Sequence, residues 1–262
     1  MVDLTTQPAQ SGPRTLAVDV GGTGIKVLVL DEAGESIEPR DRALTPRPAV
    51  PNAVIDTIAD LASRHHYDRV AVGFPGVVRL GTTITAPNLH PDWERFPFSV
   101  KLAERLGKPV RVANDADVQG FGAIVGEGLE MVLTLGTGMG SALFVDGILV
   151  PNLELAHHPF AENKTYEQWL GQASLEQIGQ ERWLVWLTQA IDLIRRTFNF
   201  DVLYLGGGNA RLLDPAAMAP DVRVVQNIAG LLGGIALWTD MYSTKLVRAP
   251  HSEGAYCALK HD

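Results

Sequence analysis

Two stretches of this chain repeat one design. LAVDVGGTGIKVLVL, Leu16 to Leu30, joins two apolar runs through Gly-Gly-Thr-Gly. MVLTLGTGMGSALFV, Met131 to Val145, joins two more through Gly-Thr-Gly-Met-Gly. Short apolar runs on either side of a glycine turn have the length and β-branched content of buried strands, and the turn leaves room for little more than a hairpin. A chain that opens each half in this way is constrained to an α/β unit written twice. Two related halves facing each other leave a cleft, the usual place for a small-molecule site.

The rest of the pattern supports the duplication. Strands are expected at Thr15–Val20, Ile25–Leu30 and, more weakly, Ser36–Glu38, as a meander. Pro46, Pro48 and Pro51 interrupt the chain before a helix in which Val54, Ile55, Ile58, Leu61 and Ala62 recur at helical spacing up to Arg64. Val70–Phe74 reads as a strand, Phe98–Leu106 as a helix, Val110–Ala113 as a strand and Ala116–Val125 as a helix. In the second half, strands Met131–Leu135 and Ala142–Val145 lead through the tight turn Asp146-Gly147 into Ile148–Val150. A long helix carries Leu184, Leu187, Ile191, Ile194 and Phe198 on one face, and Val202–Leu205 is a strand ending in Gly206-Gly207-Gly208. The apolar segment Ile228–Trp238 reads as helical despite its glycines. The expected division is a flexible tail at 1–13, a small α/β domain at 14–115, a larger one at 116–240 and a segment of uncertain packing at 241–262.

Composition narrows the class. With 46% hydrophobic and 20% charged residues in 262, the chain is an ordinary globular sequence, long enough for a substantial core. A single cysteine, Cys257, forbids an internal disulfide and fits a reducing cytoplasm. Residues 1–14 hold no apolar signal core, and no apolar stretch approaches the ~20 residues of a membrane span. A net charge of −8 argues against a broad nucleic-acid surface. The expectation is a cytoplasmic protein without nucleic-acid or membrane partners.

The glycine turns carry the first chemical suggestion. A turn of Gly and Thr lets backbone N–H groups approach an anion, and the hydroxyl adds a donor. Neither turn has the Gly-x4-Gly-Lys-Ser/Thr spacing, and Ser141 stands where a dinucleotide loop wants glycine. Two such turns, one per half, could hold the two ends of a phosphate chain. Asp19, at a strand end, suits Mg²⁺ directly or through water, and Lys26 suits phosphate charge. Separately, either reads as half of a surface ion pair worth less than ~1 kcal/mol, but together on a Gly-Gly-Thr turn they favour the phosphate reading. Asn114-Asp115 stands where a strand meets a helix. There Asp115 can be a helix cap worth ~1 kcal/mol or a general base taking the proton of an attacking hydroxyl, and chemistry alone leaves both open.

The motifs VDVGGTGIK, GFPGVV, PNLHPDW, VANDAD, LTLGTGMGSALFVDGILVPN, ELAHH and LYLGGGNA, in this order, resemble the ROK family of sugar kinases, and within it the compact polyphosphate-using glucokinase branch. The likeness runs from about Leu16 to Leu237. It implies an actin-like ATPase fold of two ribonuclease-H-like domains with an interdomain cleft, as a homodimer. It also implies transfer of a terminal phosphoryl group from polyphosphate, or ATP, to the 6-hydroxyl of glucose with Mg²⁺. By the resemblance, Asp19, Gly21, Gly22, Thr23 and Lys26 match one phosphate motif, and Gly136, Thr137, Gly138 and Gly140 the other. Asp115 matches the base, and Asn88, Asn114, Glu154 and His157 the sugar ligands. Gly76 lies on the sugar-side loop, and Gly206, Gly207 and Gly208 match the stretch near the nucleoside in ATP-using members. Amides, carboxylates and imidazoles are suited to a hexose because each can bond two neighbouring hydroxyls.

Three departures qualify the likeness. The Cys-rich zinc motif of many members is missing, so no zinc of that kind is expected. Glu-Leu-Ala-His replaces the usual Glu-Leu-Gly-His, with Ala156 adding a methyl beside the sugar ligands. Too few residues precede the first strand for the DNA-binding module of ROK repressors. A polyanionic donor calls for a basic track, for which Lys164, Arg182, Arg195, Arg196 and Arg211 are candidates, although Arg195-Arg196 also reads as a solvated helix edge. The competing expectations are a strictly ATP-dependent kinase for glucose, mannose or an N-acetyl sugar, and a sugar sensor without catalysis. Intact Asp19, Lys26 and Asp115 argue against the sensor.

Overall fold

In the computed structural model, which describes residues 12–87, 89–225, 231 and 233–239, the repeated hairpins open two five-stranded sheets of identical topology. The first sheet uses β1 (Thr15–Val20), β2 (Gly24–Leu30), β3 (Asp41–Leu44) and β4 (Arg69–Phe74). A small hairpin of β5 (Val78–Arg79) and β6 (Thr82–Thr83) follows, and β7 (Val110–Asn114) completes the sheet. The second contains β8 (Leu129–Leu135), β9 (Met139–Val145) and β10 (Ile148–Val150). After a hairpin of β11 (Pro159–Ala161) and β12 (Lys164–Thr165), it ends with β13 (Val202–Gly206) and β14 (Val222–Val224). The strand orders are β3-β2-β1-β4-β7 and β10-β9-β8-β13-β14, with an antiparallel meander on one side and parallel strands on the other in both.

Each sheet is backed by helices whose apolar faces close a core. Helices α1 (Pro51–Ala62) and α2 (Phe98–Leu106) cover the first. Pro51 occupies the first turn of α1, where its missing N–H costs nothing, and α2 stops at Gly107 in the left-handed region. Trp93 packs with Phe74 and Phe98 there, with ring centroids 4.7 and 4.9 Å away. Between the sheets runs α3 (Asp115–Phe121), which packs on β4 and β7 of one and β8 and β9 of the other. The second core is closed by α4 (Tyr166–Leu170), α5 (Gln172–Ile178) and α6 (Gln180–Phe198). A capping box starts α4, in which Thr165 and Gln168 satisfy each other's backbone N–H groups.

Several expectations shift. The third meander strand is Asp41–Leu44, and of Ser36–Glu38 only Ser36 makes an isolated bridge, to Leu30. Asp-Arg-Ala-Leu alternates half-buried and exposed positions, too polar a strand for apolar content to reveal. The helix expected at Ala116–Val125 ends at Phe121, because the N–H groups of Val125, Gly126 and Glu127 turn instead to the buried Glu130 carboxylate. Of Ile228–Trp238, residues 228–230 and 232 lie outside the described residues, and Gly233–Trp238 forms 3₁₀ turns rather than an α-helix. Those turns pack against β1, β4 and β7 of the first sheet. Arg111 donates to the Leu237 carbonyl while its guanidinium lies 4.4 Å from the Trp238 ring. Cys257 and the segment 241–262 also lie outside the described residues, as does 1–11 of the expected tail. Among the described residues no helix is long and apolar enough to cross a membrane.

Candidate active site

A cavity of about 540 Å³ opens between the ends of the two sheets. Its wall is built from both hairpin tips, the start of α3 and the loop after β10. On the first tip Gly21 and Gly22 line it, together with Asp19 and Lys26, which face each other across β1 and β2. Lys26 Nζ donates to Asp19 Oδ2 at 2.8 Å. Thr23 lies outside the wall and is exposed; its carbonyl accepts from Thr45 N–H, and the Thr45 hydroxyl donates to Gly21 O at 2.6 Å. On the second tip Gly136, Thr137, Gly138 and Gly140 all line the cavity. Gly140 cannot be replaced cheaply, since a Cβ there would stand 2.5 Å from Thr134 Oγ1 and 2.8 Å from the Ala116 Cβ at the start of α3. Gly207 and Gly208 also line the wall, whereas Gly206 stays within β13. Gly207 takes φ +86°, and a Cβ on it would strike the Leu135 backbone.

The start of α3 separates two roles that the sequence leaves merged. Asn114 is the cap: its Oδ1 accepts from Ala116 N–H at 2.8 Å and Asp117 N–H at 3.2 Å. Asp115 is therefore the first helical residue, and beyond one bond from Ala116 N–H to Oδ1 its carboxylate faces the cavity. Burial, and then the charges of Asp19 and Glu154, push its pKa up to about 7. The structural cap is thus Asn114 and not Asp115.

Asn114 also reaches across the cleft. Its Nδ2 donates to Gly76 O at 3.2 Å and to Glu154 Oε1 at 3.4 Å. Burial raises the pKa of Glu154, reinforced by Glu167 and opposed by His157. His157 sits between the two acids, with Nε2 3.5 Å from Glu154 Oε2 and Nδ1 3.7 Å from Glu167 Oε2. Asn88 lies outside the described residues, though its neighbour Pro87 lines the wall. Of the basic candidates only Arg211 lines the cavity. Arg195 is held by Asp221 through two bonds of 2.7 and 3.0 Å and by Asp192, Lys164 lies 4.2 Å over the Trp169 ring, and Arg182 and Arg196 are exposed on α6. The five do not form one track along this wall.

The ROK family model matches residues 15–152, which includes both hairpins and Asp115. A polyphosphate glucokinase of Mycobacterium tuberculosis is 32% identical over 234 residues, 82% of this chain and 88% of that protein. The chain belongs to the ROK family. The crystal structure of an inorganic polyphosphate/ATP-glucomannokinase from Arthrobacter sp. strain KM matches with a TM-score of 0.77 and 31% identity, covering 87% of this chain and 100% of that one. A ROK family glucokinase from Streptomyces griseus, solved with glucose and AMPPNP, matches in fold with a TM-score of 0.69 at 21% identity, over 86% of this chain and 98% of that one. The two sheets are those of the actin-like ATPase fold of ROK sugar kinases.

Within this ROK chain, some wall residues are not signalled by any motif. Glu167 reaches the cavity from α4, and Gln172 from the start of α5. Gln119, on α3, stands four residues past Asp115, a spacing that puts both on one helix face and could have found it. Ser141, which breaks the dinucleotide pattern, is a fastener: its hydroxyl donates to Leu153 O at 2.5 Å and accepts from Leu155 N–H at 3.3 Å, fixing the loop that carries Glu154.

Proposed function

We propose that this protein transfers the terminal phosphoryl group of inorganic polyphosphate, with ATP as a second donor, to the 6-hydroxyl of glucose. What carries the reading is that both glycine turns, Lys26 and the Asp115 carboxylate line one cavity. The polyphosphate glucokinase relative and the polyphosphate/ATP-glucomannokinase relative support the choice of donor and sugar. The phosphate chain lies along the two tips, where backbone N–H groups and Lys26 offset its charge, and Arg211 stands ready for phosphates further along. Glucose occupies the pole of Asn114, Glu154 and His157.

In the transfer, the sugar's O6–H gives its proton to Asp115 as O6 bonds to the terminal phosphorus, and the bond from that phosphorus to the bridging oxygen breaks. The shortened donor leaves with the electron pair, its charge held by Lys26 and the tips. Because a phosphoryl transition state is loose, positioning and charge neutralisation supply most of the acceleration, with the base adding ~10²–10⁴-fold. Asp19 fits a Mg²⁺ carried by the donor: Mg²⁺ is ordinarily held by one or two carboxylates together with phosphate oxygens and water, and among the described residues no larger ligand cluster exists. When bound, the ion supplies charge neutralisation at the transferring phosphoryl oxygens.

The test is formation of glucose 6-phosphate by the purified protein with Mg²⁺ and either polyphosphate or ATP. Product from polyphosphate supports the reading, product from ATP alone reassigns the donor, and none from either overturns it.

A further inference from the structure

One of the side chains that fasten the loop of Glu154 to the first half of the molecule is Asn152. Pro151–Glu154 has no regular secondary structure, so its shape depends on such ties. Asn152 sits at φ +60°, a left-handed conformation that Asn tolerates better than most residues. There its carboxamide pairs with the backbone of Val78 in both directions. Val78 N–H donates to Oδ1 at 2.8 Å, and Nδ2 donates to Val78 O at 3.0 Å. The side chain thus stands in for a neighbouring strand at the edge of β5, two residues beyond Gly76.

The other end of the tie is Asp117. The Asn152 backbone N–H donates to Asp117 Oδ2 at 3.1 Å. Asp117 is only 1% exposed and lies two residues beyond Asp115. Its other oxygen, Oδ1, is buried with no hydrogen-bond partner among the described residues, where the carboxyl's visible task is to hold Asn152. Burial raises its pKa to about 8, reinforced by Asp115 and Glu154 and opposed by the Asn152 N–H. The run Asp117, Asn152, Val78 therefore links the helix of the base, the loop of Glu154 and the loop of Gly76. It lies beside a second link, in which Asn114 Nδ2 touches Gly76 O and Glu154 Oε1.

We infer that Asn152, held by Asp117, is a positioning residue for the acceptor sugar, fixing the Glu154 loop of one half against the Gly76 loop of the other. Neither residue touches the reacting atoms; both are absent from the cavity wall. The inference rests on the assignment of that pole to the sugar in the proposed function. Losing the tie loosens the sugar ligands while leaving the tips and Lys26 intact, so the damage belongs to glucose binding and not to the donor.

Steady-state kinetics with glucose and donor varied separately test this, alongside thermal unfolding of each variant. Asn152→Gly suits the left-handed backbone and deletes the side chain that carries the carboxamide. It is expected to raise the glucose KM roughly tenfold, with kcat and donor KM within twofold, the split produced by losing uniform binding. Asp117→Val, without an acceptor for the Asn152 N–H, is expected to do the same. Asp117→Asn keeps an oxygen in place and is expected to restore the parental glucose KM. A glucose KM within twofold of the parent in both folded disruptive variants, or a donor KM that rises in step with it, overturns the inference. So does failure of both to fold at the assay temperature, since the tie then serves the fold and not the site. A parent that makes no glucose 6-phosphate defeats the proposed function instead, whereas an active parent with both disruptive variants unaltered defeats only this positioning role.

Discussion

The two hairpin tips occupy equivalent places in equivalent sheets, yet they are chemically opposite. In the first, the pair one step before the turn is Asp19 opposite Lys26; in the second, the same step holds Thr134 opposite Gly140. One tip presents fixed charge, and the other presents backbone with almost no side chain. The reason for the bare tip is geometric. The start of α3 leans on Gly140, with Ala116 Cβ where any side chain would go, so the second tip accommodates the helix that carries Asp115. Among the described residues no helix stands against the glycines of the first tip, and Lys26 has room there, paired with Asp19 and with its side chain 37% exposed. The two turns thus share a place in their sheets, while their neighbours leave one charged and the other bare.

If Asp115 is the group that both tips serve, its loss has the largest effect. Asp115→Asn is expected to lower kcat ~10²–10⁴-fold with the glucose KM within a few-fold, measured by glucose 6-phosphate formation. Near-parental turnover would leave the tips with no reacting group between them. The base must be ionised to act, and burial raises its pKa in the ligand-free protein to about 7, so kcat/KM for glucose should fall close to tenfold per pH unit below that value and level off above it. Because Asp19, Asp115 and Glu154 interact, the midpoint belongs to the set and not to one residue. In Asp115→Asn that acid limb should vanish.

The charged tip comes next. Lys26→Ala is expected to raise the donor KM by ~10–100-fold and leave the glucose KM within about twofold, since one cation on a phosphate is worth ~1.5–3 kcal/mol. Equal damage to both substrates would mean that Lys26 supports the shape of the tip rather than the donor. The bare tip should respond differently. Gly140→Ala forces its methyl against Thr134 and Ala116, an overpacking expected to cost ~1–3 kcal/mol in denaturant unfolding and to lower kcat by displacing α3. A stable Gly140→Ala variant with parental kcat would break the explanation given for the asymmetry.

Much of this division is legible in the sequence where backbone geometry leaves one residue type. Strand–glycine turn–strand, written twice, announces the paired sheets, because little else fits a buried hairpin at that turn length. Asp115 is visible as a candidate, but its role is not, since capping and proton transfer favour the same residue at the same place; only the two bonds taken by Asn114 separate them. Thr23 and Thr137 look alike in their turns, yet only Thr137 lines the cavity, because Thr45 draws the Thr23 backbone toward β3. Glu167 and Asn152 are not legible at all. One arrives on a five-residue helix too short for periodicity, the other through a left-handed loop residue whose partner, Val78, is remote in sequence.

The smallest expected effect separates the two uses of glycine most cleanly. Gly136 is on the same bare tip as Gly140, but a Cβ there meets nothing within 4 Å, and its φ is not positive. Packing therefore does not require glycine at 136, and Gly136→Ala should leave unfolding stability within ~0.5 kcal/mol or raise it slightly, by restricting the unfolded chain. If a phosphate lies against that backbone, the added methyl occupies its place, and the donor KM should rise by roughly tenfold, about 1.4 kcal/mol, with kcat and the glucose KM little changed. Stability measured by denaturant and KM measured for polyphosphate then move independently, which a purely structural turn cannot produce. A Gly136→Ala variant with parental donor KM would mean that the open space beside the second tip is empty during catalysis, and that the charged tip holds the donor alone.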